Sequence, residues 1–405
     1  MIGVAVTADS KPVPLPPLLG RLLSNWLAPW VGGSITVVLP NTQSLVFGDG
    51  AGPNATLNIR NARALWRIVT SGVIGFAEGY MARDWDTPDL SALLTLAARN
   101  MEAVESKGGA GFWAARTFHR LMHKLRPNTR AGSRRNIAAH YDLGNAFYGQ
   151  WLDPSMTYSS AIFDARTDDL ETAQHRKYRR LCEVLALKEG DHVLEVGCGW
   201  GGFAEVAARD FGCRVTGLTV SAQQAEFARA RMSRLGLDAR VEIRLQDYRD
   251  VGERYDAIAS IEMFEAVGAE NWPTYFATLH RCLKPGGRAA VQTITIAEPY
   301  FEEYARSADF IQRYIFPGGM LPSPTVFRTH AQQNGFRVAD EYFFGFGYAE
   351  TLRRWASAFN AAWPQIKPLG FDERFHRMWN YYLSYCEAGF ATKHTDVGQF
   401  LLVRS

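Results

Sequence analysis

The residues whose types and spacing most clearly indicate a ligand site form one short run. It is Val-Leu-Glu-Val-Gly-Cys-Gly-Trp-Gly-Gly, at positions 193–202. Its apolar start predicts a buried strand, and a helix is predicted from about 203 to 208, so the glycines fall in the turn between them. Glycine lets a backbone turn tightly and approach a ligand without a Cβ in the way. In an open α/β sheet, ligands bind past the carboxyl ends of such strands. The residues expected to border this site are Glu195, Gly197, Gly199 and Gly201.

Strand and helix signals alternate after this turn. Further strands are predicted at 214–220, 241–245, 256–261 and 288–293, with helices between them. This alternation predicts an α/β fold with a doubly wound, mostly parallel sheet. Polar side chains that follow the second and third strands would then reach the same edge as the glycine turn. They are Thr219, Ser221, Gln224, Gln246, Asp247 and Tyr248.

The glycine turn differs from two common nucleotide-binding motifs. It lacks the Lys-Ser/Thr that ends a phosphate loop, and its spacing is not that of the G-x-G-x-x-G fingerprint. The E-x-G-x-G-x-G pattern resembles motif I of the class I S-adenosylmethionine (SAM) methyltransferases, which are Rossmann-like. The resemblance implies SAM as cofactor; another Rossmann-like nucleotide enzyme is the alternative.

Three further segments, 139–160, 261–268 and 314–323, together with 346–348, extend the resemblance. Together they resemble the cyclopropane-fatty-acyl-phospholipid synthase family, which includes the mycolic acid methyltransferases. The likeness covers roughly 130–405, whereas the N-terminal region resembles the lipid-binding extension of the bacterial synthases only loosely. It implies methyl transfer from SAM to the cis double bond of unsaturated acyl chains in membrane phospholipids.

The family's chemistry sets demands on the site. Methylation of an alkene leaves a carbocation, so water must be excluded and aromatic faces are useful neighbours. A base must then remove a proton to close the ring, and in this family a bound bicarbonate does so. The resemblance matches Glu265 and Tyr348 to residues that hold the bicarbonate, and Ile294 to a backbone N–H donor. Tyr158 and Ser159 match residues that close over the SAM carboxylate.

Two positions depart from the family pattern. Ser160 replaces a cysteine, and Gln292 replaces a histidine that is a bicarbonate ligand. Glutamine donates hydrogen bonds but does not share a proton as histidine does. We expect SAM binding and methyl transfer to survive both changes, while ring closure is in doubt.

Several functions therefore remain open. A cyclopropane synthase is the leading hypothesis, and methylation without ring closure, giving a methyl-branched unsaturated chain, is the second. A lipid-binding protein with an inactive SAM fold is a third, although such a protein need not keep the glycine turn and Glu265. An O- or N-methyltransferase of small soluble molecules is also possible.

The distribution of basic residues along the chain favours contact with an anionic membrane surface. The net charge of +3 is too small to indicate nucleic acid, but eight Lys or Arg and no acidic residue occur between 107 and 141. Within this stretch Arg116, Arg120 and Lys124 recur at helical spacing. A basic amphipathic helix suits an anionic membrane surface, and a solvated linker helix is the alternative.

The remaining sequence features set the cellular context and the domain plan. There is no secretory signal, no run of 18 apolar residues, no C-x-x-C pair and no metal-ligand spacing. We expect a cytoplasmic protein at the inner face of the membrane, and the resemblance suggests a homodimer. The predicted domains are an α+β domain at 1–110, a basic linker helix at 111–136 and a methyltransferase domain with a C-terminal substrate lid at 137–405.

Overall fold

The computed structural model describes residues 27, 30–100, 143–165 and 168–404. The chain divides into two compact units, which are described separately below. The predicted linker helix at 111–136 and most of the basic stretch at 107–141 lie outside the described residues. The predicted domain boundaries therefore stay predictions.

The first unit contains a four-stranded sheet in the order β2-β1-β3-β4. Strand β1 pairs antiparallel with β2 and parallel with β3, and alternate residues such as Ile35 and Val37 are buried. Helix α1 lies between β3 and β4 in the chain, and α2 follows β4; α2 is capped by the Asp89 carboxylate, which accepts the Ala92 N–H at 2.9 Å. The elements are β1 Ser34–Val38, β2 Ser44–Gly48, β3 Asn54–Ile59, α1 Arg63–Met81, β4 Trp85–Asp86 and α2 Leu90–Arg99.

The second unit contains a seven-stranded sheet in the order β10-β11-β9-β8-β5-β6-β7. The strands are β5 His192–Val196, β6 Arg214–Thr219, β7 Val241–Leu245, β8 Tyr255–Ile261, β9 Leu283–Ile296, β10 Phe336–Phe343 and β11 Thr395–Arg404. Strands β9, β8, β5, β6 and β7 are parallel, and β11 pairs antiparallel with β9 and β10. The predicted doubly wound, mostly parallel sheet is thus confirmed.

Helices pack on both faces of this sheet because neighbouring strand residues point to opposite sides. Val193 belongs to one apolar cluster and Leu194 to the other, and both are fully buried. The helices of the second unit are α3 Asn145–Tyr148, α4 Leu170–Val184, α5 Gly202–Asp210, α6 Ala222–Arg234, α7 Trp272–Cys282, α8 Glu298–Arg306, α9 Phe310–Tyr314, α10 Pro324–Gln333, α11 Gly345–Ala361 and α12 Trp363–Ile366. The last residue of α8 and the first of α9 are grouped with the first unit.

The strand order reverses beside β5. From β5 the chain adds β6 and β7 on one side, and it then returns to add β8 and β9 on the other. A crevice forms where helices leave a parallel sheet in opposite directions, and ligands bind there. The glycine turn after β5 and the end of β8 therefore flank the expected binding crevice.

A late helix, α13 Glu373–Ala391, belongs to the first unit. It packs against α1 and α2, and the hydroxyl of Ser91 donates to the Glu387 carboxylate at 2.7 Å. The chain then re-enters the second unit as β11. Across the ranges that the structure describes, no helix is both long and apolar enough to span a membrane.

Candidate active site

The glycine turn after β5 has the geometry that its sequence predicts. Gly197, Gly199 and Gly201 have φ values of 83°, 51° and 86°, a left-handed region that disfavours other residues. A Cβ at Gly197 would lie 2.8 Å from the Cγ of Met263, which is closer than such atoms approach. Helix α5 begins directly after the turn, at Gly202. The turn thus presents bare backbone and the start of a helix to the crevice.

The ends of β6 and β7 are joined by hydrogen bonds. The hydroxyl of Thr219 donates to the side-chain oxygen of Gln224 at 2.8 Å, and the Ser221 N–H donates to that hydroxyl at 3.1 Å. Ser221 also caps α6 by accepting the Gln224 N–H at 3.3 Å. The Gln246 N–H donates to the Thr219 carbonyl at 3.0 Å. Neighbouring Asp247 is paired with Arg249 at 2.6 Å.

Ten of the twelve residues predicted to bind SAM border one cavity at this edge of the sheet. They are Tyr158, Ser159, Glu195, Gly197, Gly199, Thr219, Gln224, Gln246, Asp247 and Tyr248. The other two, Gly201 and Ser221, shape the turn and cap α6 instead. Glu195 has one carboxylate oxygen, Oε2, that is buried and accepts no hydrogen bond from the described residues. Burial raises the pKa of Glu195 well above its usual range.

The segment with Tyr158 and Ser159 is held by packing and by a buried cation. The ring of Tyr158 lies 5.2 Å from that of Trp355. The ammonium of Lys177 donates to the Ser159 hydroxyl at 2.6 Å, and the Gln174 amide donates to the Ser159 carbonyl at 2.8 Å. Lys177 is fully buried, and burial lowers its pKa to about 7 against the opposing attraction of Glu262.

Glu262, directly after β8, is the centre of a hydrogen-bond network that also borders the cavity. Its Oε1 accepts the backbone N–H of Ser160 at 2.8 Å and the side-chain N–H of Gln292 at 2.8 Å. Its Oε2 accepts the hydroxyl of Tyr348 at 2.6 Å. Gln292 is oriented in turn by the Gln399 amide, which donates to its oxygen at 3.0 Å. Burial raises the pKa of Glu262 above its usual value.

Glu265 has a different set of partners. Its Oε1 accepts the Ile294 N–H at 2.5 Å and the Thr293 hydroxyl at 3.1 Å. Its Oε2 is buried and accepts no hydrogen bond from the described part of the chain. Burial, followed by the nearby charge of Glu262, raises the pKa of Glu265 to about 8.

One of the five predicted catalytic residues is Glu265 itself, and the other four are divided between it and Glu262. Ser160, Gln292 and Tyr348 converge on Glu262, while Ile294 contacts Glu265. Sequence reasoning missed Glu262, although its position at the carboxyl end of a parallel strand was a usable signal. It also missed Lys177, because a lysine on a helix with many charged residues gives no indication that its side chain is buried. In the chain as far as it is described, no cluster of His, Cys, Asp or Glu could hold a metal ion.

Comparison with known proteins agrees with this geometry. The sequence model of the family described as mycolic acid cyclopropane synthetase matches residues 128–400. Tuberculostearic acid methyltransferase UfaA1 of Mycobacterium tuberculosis is 40% identical over 89% of this chain and 87% of its own. The cyclopropane-fatty-acyl-phospholipid synthase of Escherichia coli is 37% identical over 88% of this chain and 89% of its own.

A solved structure gives the same result. Mycolic acid cyclopropane synthase CmaA1, crystallised with S-adenosylhomocysteine (SAH) and CTAB, is 32% identical. It superposes with a TM-score of 0.64 and covers 69% of this chain and 100% of its own. With the glycine turn, the sheet order and the carboxylate site in place, the chain belongs to the mycolic acid cyclopropane synthetase family and is a SAM-dependent methyltransferase.

Proposed function

We propose that the protein transfers the methyl group of SAM to the cis double bond of an unsaturated acyl chain in a membrane phospholipid. One observation carries this proposal: the cavity that begins at the glycine turn also reaches the Glu262 carboxylate. Methylation of an alkene needs a proton acceptor beside the methyl donor, because the resulting cation must lose a proton. The names of the two relatives above, which refer to a fatty acid and to fatty acyl phospholipids, support the same substrate class.

The residues around the cavity fit SAM. Bare backbone at Gly197 and Gly199 leaves room for the ligand, and the free Oε2 of Glu195 can accept a hydrogen bond from its ammonium group. Thr219 and Gln246 offer polar groups at the ends of neighbouring strands. When bound, SAM supplies an electrophilic methyl group on a positively charged sulfur.

The chain's own residues then control the cation on the lipid. Tyr158 borders the cavity, and an aromatic face can stabilise positive charge without reacting with it. Water must be kept from the cation, because water would trap it as an alcohol. Which proton is lost next decides the product.

Two products fit this site. Loss of a proton from the transferred methyl closes a cyclopropane, the product that the family resemblance implies. Loss of a different proton gives a methyl-branched unsaturated chain, and Gln292 favours this second candidate because an amide cannot relay a proton. The name of the 40% identical relative, a methyltransferase, also mentions no cyclopropane.

Product analysis tests the function and separates the candidates. We expect SAM-dependent modification when purified protein is incubated with vesicles of a cis-monounsaturated phospholipid and the acyl chains are analysed by proton NMR. Upfield methylene signals with loss of vinyl signals would identify the cyclopropane. A new methyl signal with a retained olefin would identify the branched product. Vesicles of saturated lipid are the control, and SAM binding without any change in the unsaturated chains would contradict the proposal.

The place of action is part of the proposal. We propose that the protein is cytoplasmic and binds the anionic inner face of the membrane; the eight basic residues between 107 and 141 support this binding. We also propose a homodimer, which the family resemblance suggests. Co-sedimentation with anionic but not neutral vesicles is the expected result. Light scattering at the mass of one 45.3 kDa chain would contradict the dimer.

A further inference from the structure

Donors at three positions where the family resemblance places active-site residues are already occupied in this protein. The Ser160 N–H, the Gln292 amide and the Tyr348 hydroxyl all donate to the two oxygens of Glu262, at 2.6 to 2.8 Å. A bicarbonate ion would need the same donors and would place a second anion beside this carboxylate. The residues present therefore do not fit a bound bicarbonate.

The backbone at Glu262 indicates that this carboxylate is placed at some cost. Its φ is +50°, in the left-handed region that residues other than glycine seldom adopt. Such a conformation is strained and is concentrated at functional sites. Its N–H is fixed by the carbonyl of Gln292 at 2.8 Å, so strand β9 holds both the backbone and the side chain. This geometry directs the carboxylate into the SAM cavity.

We propose that Glu262 is the proton acceptor of the methylation, so that the chain's own carboxylate replaces bicarbonate as the base. This inference rests on the proposed function. The alkene π electrons form the new C–C bond as the S–CH₃ bond breaks, and its electron pair stays on sulfur to give SAH. The neighbouring carbon becomes cationic. A C–H bond of the lipid then gives its electron pair to the ring or to a new double bond, and its proton passes to a Glu262 oxygen and later to solvent.

The surroundings of Glu262 suit a base that works near neutral pH. Burial raises its pKa, and a stronger base accepts a proton from a cation more readily. The hydrogen bond from Tyr348 and the attraction of Lys177 oppose that rise and favour the charged form. Glu265, whose pKa is raised to about 8, carries a proton at neutral pH and so does not add a second full charge.

Substitution of Glu262 tests the inference. Glu262→Gln keeps the shape of the side chain but removes the base. Glu262→Gly removes the whole side chain and the backbone strain, so the three donors lose their acceptor and become available to another anion. The matched control is Glu226→Gln, an exposed glutamate on α6. In CO₂-depleted buffer we expect full turnover by the wild type and the control, and a loss of about 10²- to 10⁴-fold in kcat for Glu262→Gln. Its SAM affinity should stay within about threefold, and added bicarbonate should partly restore Glu262→Gly.

A binding measurement decides the point independently of turnover. With ¹³C-labelled bicarbonate observed by NMR, the wild type should show no bound ion and Glu262→Gly should show one. A bound ion in the wild type, wild-type turnover that requires bicarbonate, or near-normal turnover by Glu262→Gln would each overturn the proposal. If the wild type modifies no unsaturated lipid, the proposed function fails. The bicarbonate measurement would still test whether the Glu262 carboxylate takes the place of the bicarbonate ion.

Discussion

Glu262 and Glu265 are three positions apart, yet their carboxylates have different partners and different states. Glu262 accepts three hydrogen bonds, whereas one oxygen of Glu265 accepts none from the described residues. Two close, buried carboxylates do not both ionise easily, so one of them retains a proton. The hydrogen-bond donors favour the charged form at Glu262, and the proton therefore belongs mainly to Glu265.

The raised pKa of Glu265 predicts a pH-dependent stability. Its folded pKa is about 8 against 4.5 in the unfolded chain, so its contribution is fully present below pH 4.5 and is lost as pH rises towards 8. Glu265→Gln removes this dependence. We expect the variant to gain stability over the wild type by up to about 1.4 kcal/mol per pH unit in this window, with no further gain above pH 8. Urea unfolding at pH 5, 6.5, 8 and 9 measures the difference, and a constant difference would contradict the assignment.

Individual site residues were only partly predictable from sequence. The strand ends identified the glycine turn and the polar groups of Thr219 and Gln246, because those depend on local order along the chain. Glu262 was not identified, although it directly follows a predicted strand, because its left-handed backbone and its hydrogen-bond partners cannot be read from residue type. Lys177 was missed because its burial depends on residues outside its own helix, such as Ser159, whose hydroxyl accepts its ammonium.

Elements of the sheet were the most predictable part of the fold. Strand β7 has the predicted bounds, and the predicted starts of β5, β6 and β8 lie within one residue of those observed. Continuous apolar runs mark strands that are buried on both faces, and here both faces carry helices. Strand β9 is longer than predicted, since it begins at Leu283 rather than 288 and includes a Pro-Gly-Gly sequence typical of a turn.

The glycine turn predicts the effect of a single added methyl group. Gly197→Ala places a Cβ 2.8 Å from Met263, whereas Gly190→Ala, at nearly the same φ, places one in open space. Both variants should lose about 1–2 kcal/mol of stability through backbone strain. Only Gly197→Ala should also weaken SAM binding, by about tenfold or more, because the turn must shift. Isothermal titration with SAM checks this, and equal affinities would show that the turn tolerates the shift.

At the scale of the molecule, the described part of the first unit is assembled from segments far apart in sequence: 30–100, 306–310 and 371–394. Composition could predict an N-terminal α+β region, but local patterns do not reveal that α13 completes it. The links are long-range: the Arg377 guanidinium donates to the carbonyls of Tyr80 at 2.5 Å and Trp85 at 3.1 Å. It also lies 3.7 Å from the centre of the Tyr80 ring.

Arg377 is therefore expected to stabilise the first unit. Arg377→Ala leaves two carbonyl groups without this donor and removes the cation–π contact, at a cost of about 2–4 kcal/mol. Arg374→Ala, on an exposed position of the same helix, is the matched control and should change stability by less than about 0.5 kcal/mol. Differential scanning calorimetry measures both. Equal melting profiles for the two variants would show that α13 is held by apolar packing alone.

The path of the chain also determines when folding can finish during synthesis. Strand β11 separates β10 from β9, yet it follows every other described element in sequence. A ribosome that has made the first 370 residues carries a first unit without α13 and a strand β10 without a neighbour. Open sheet edges and uncovered apolar faces are prone to aggregation. The first unit therefore cannot be completed until α13 has been synthesised, and the sheet of the second unit cannot be completed until β11 has followed it.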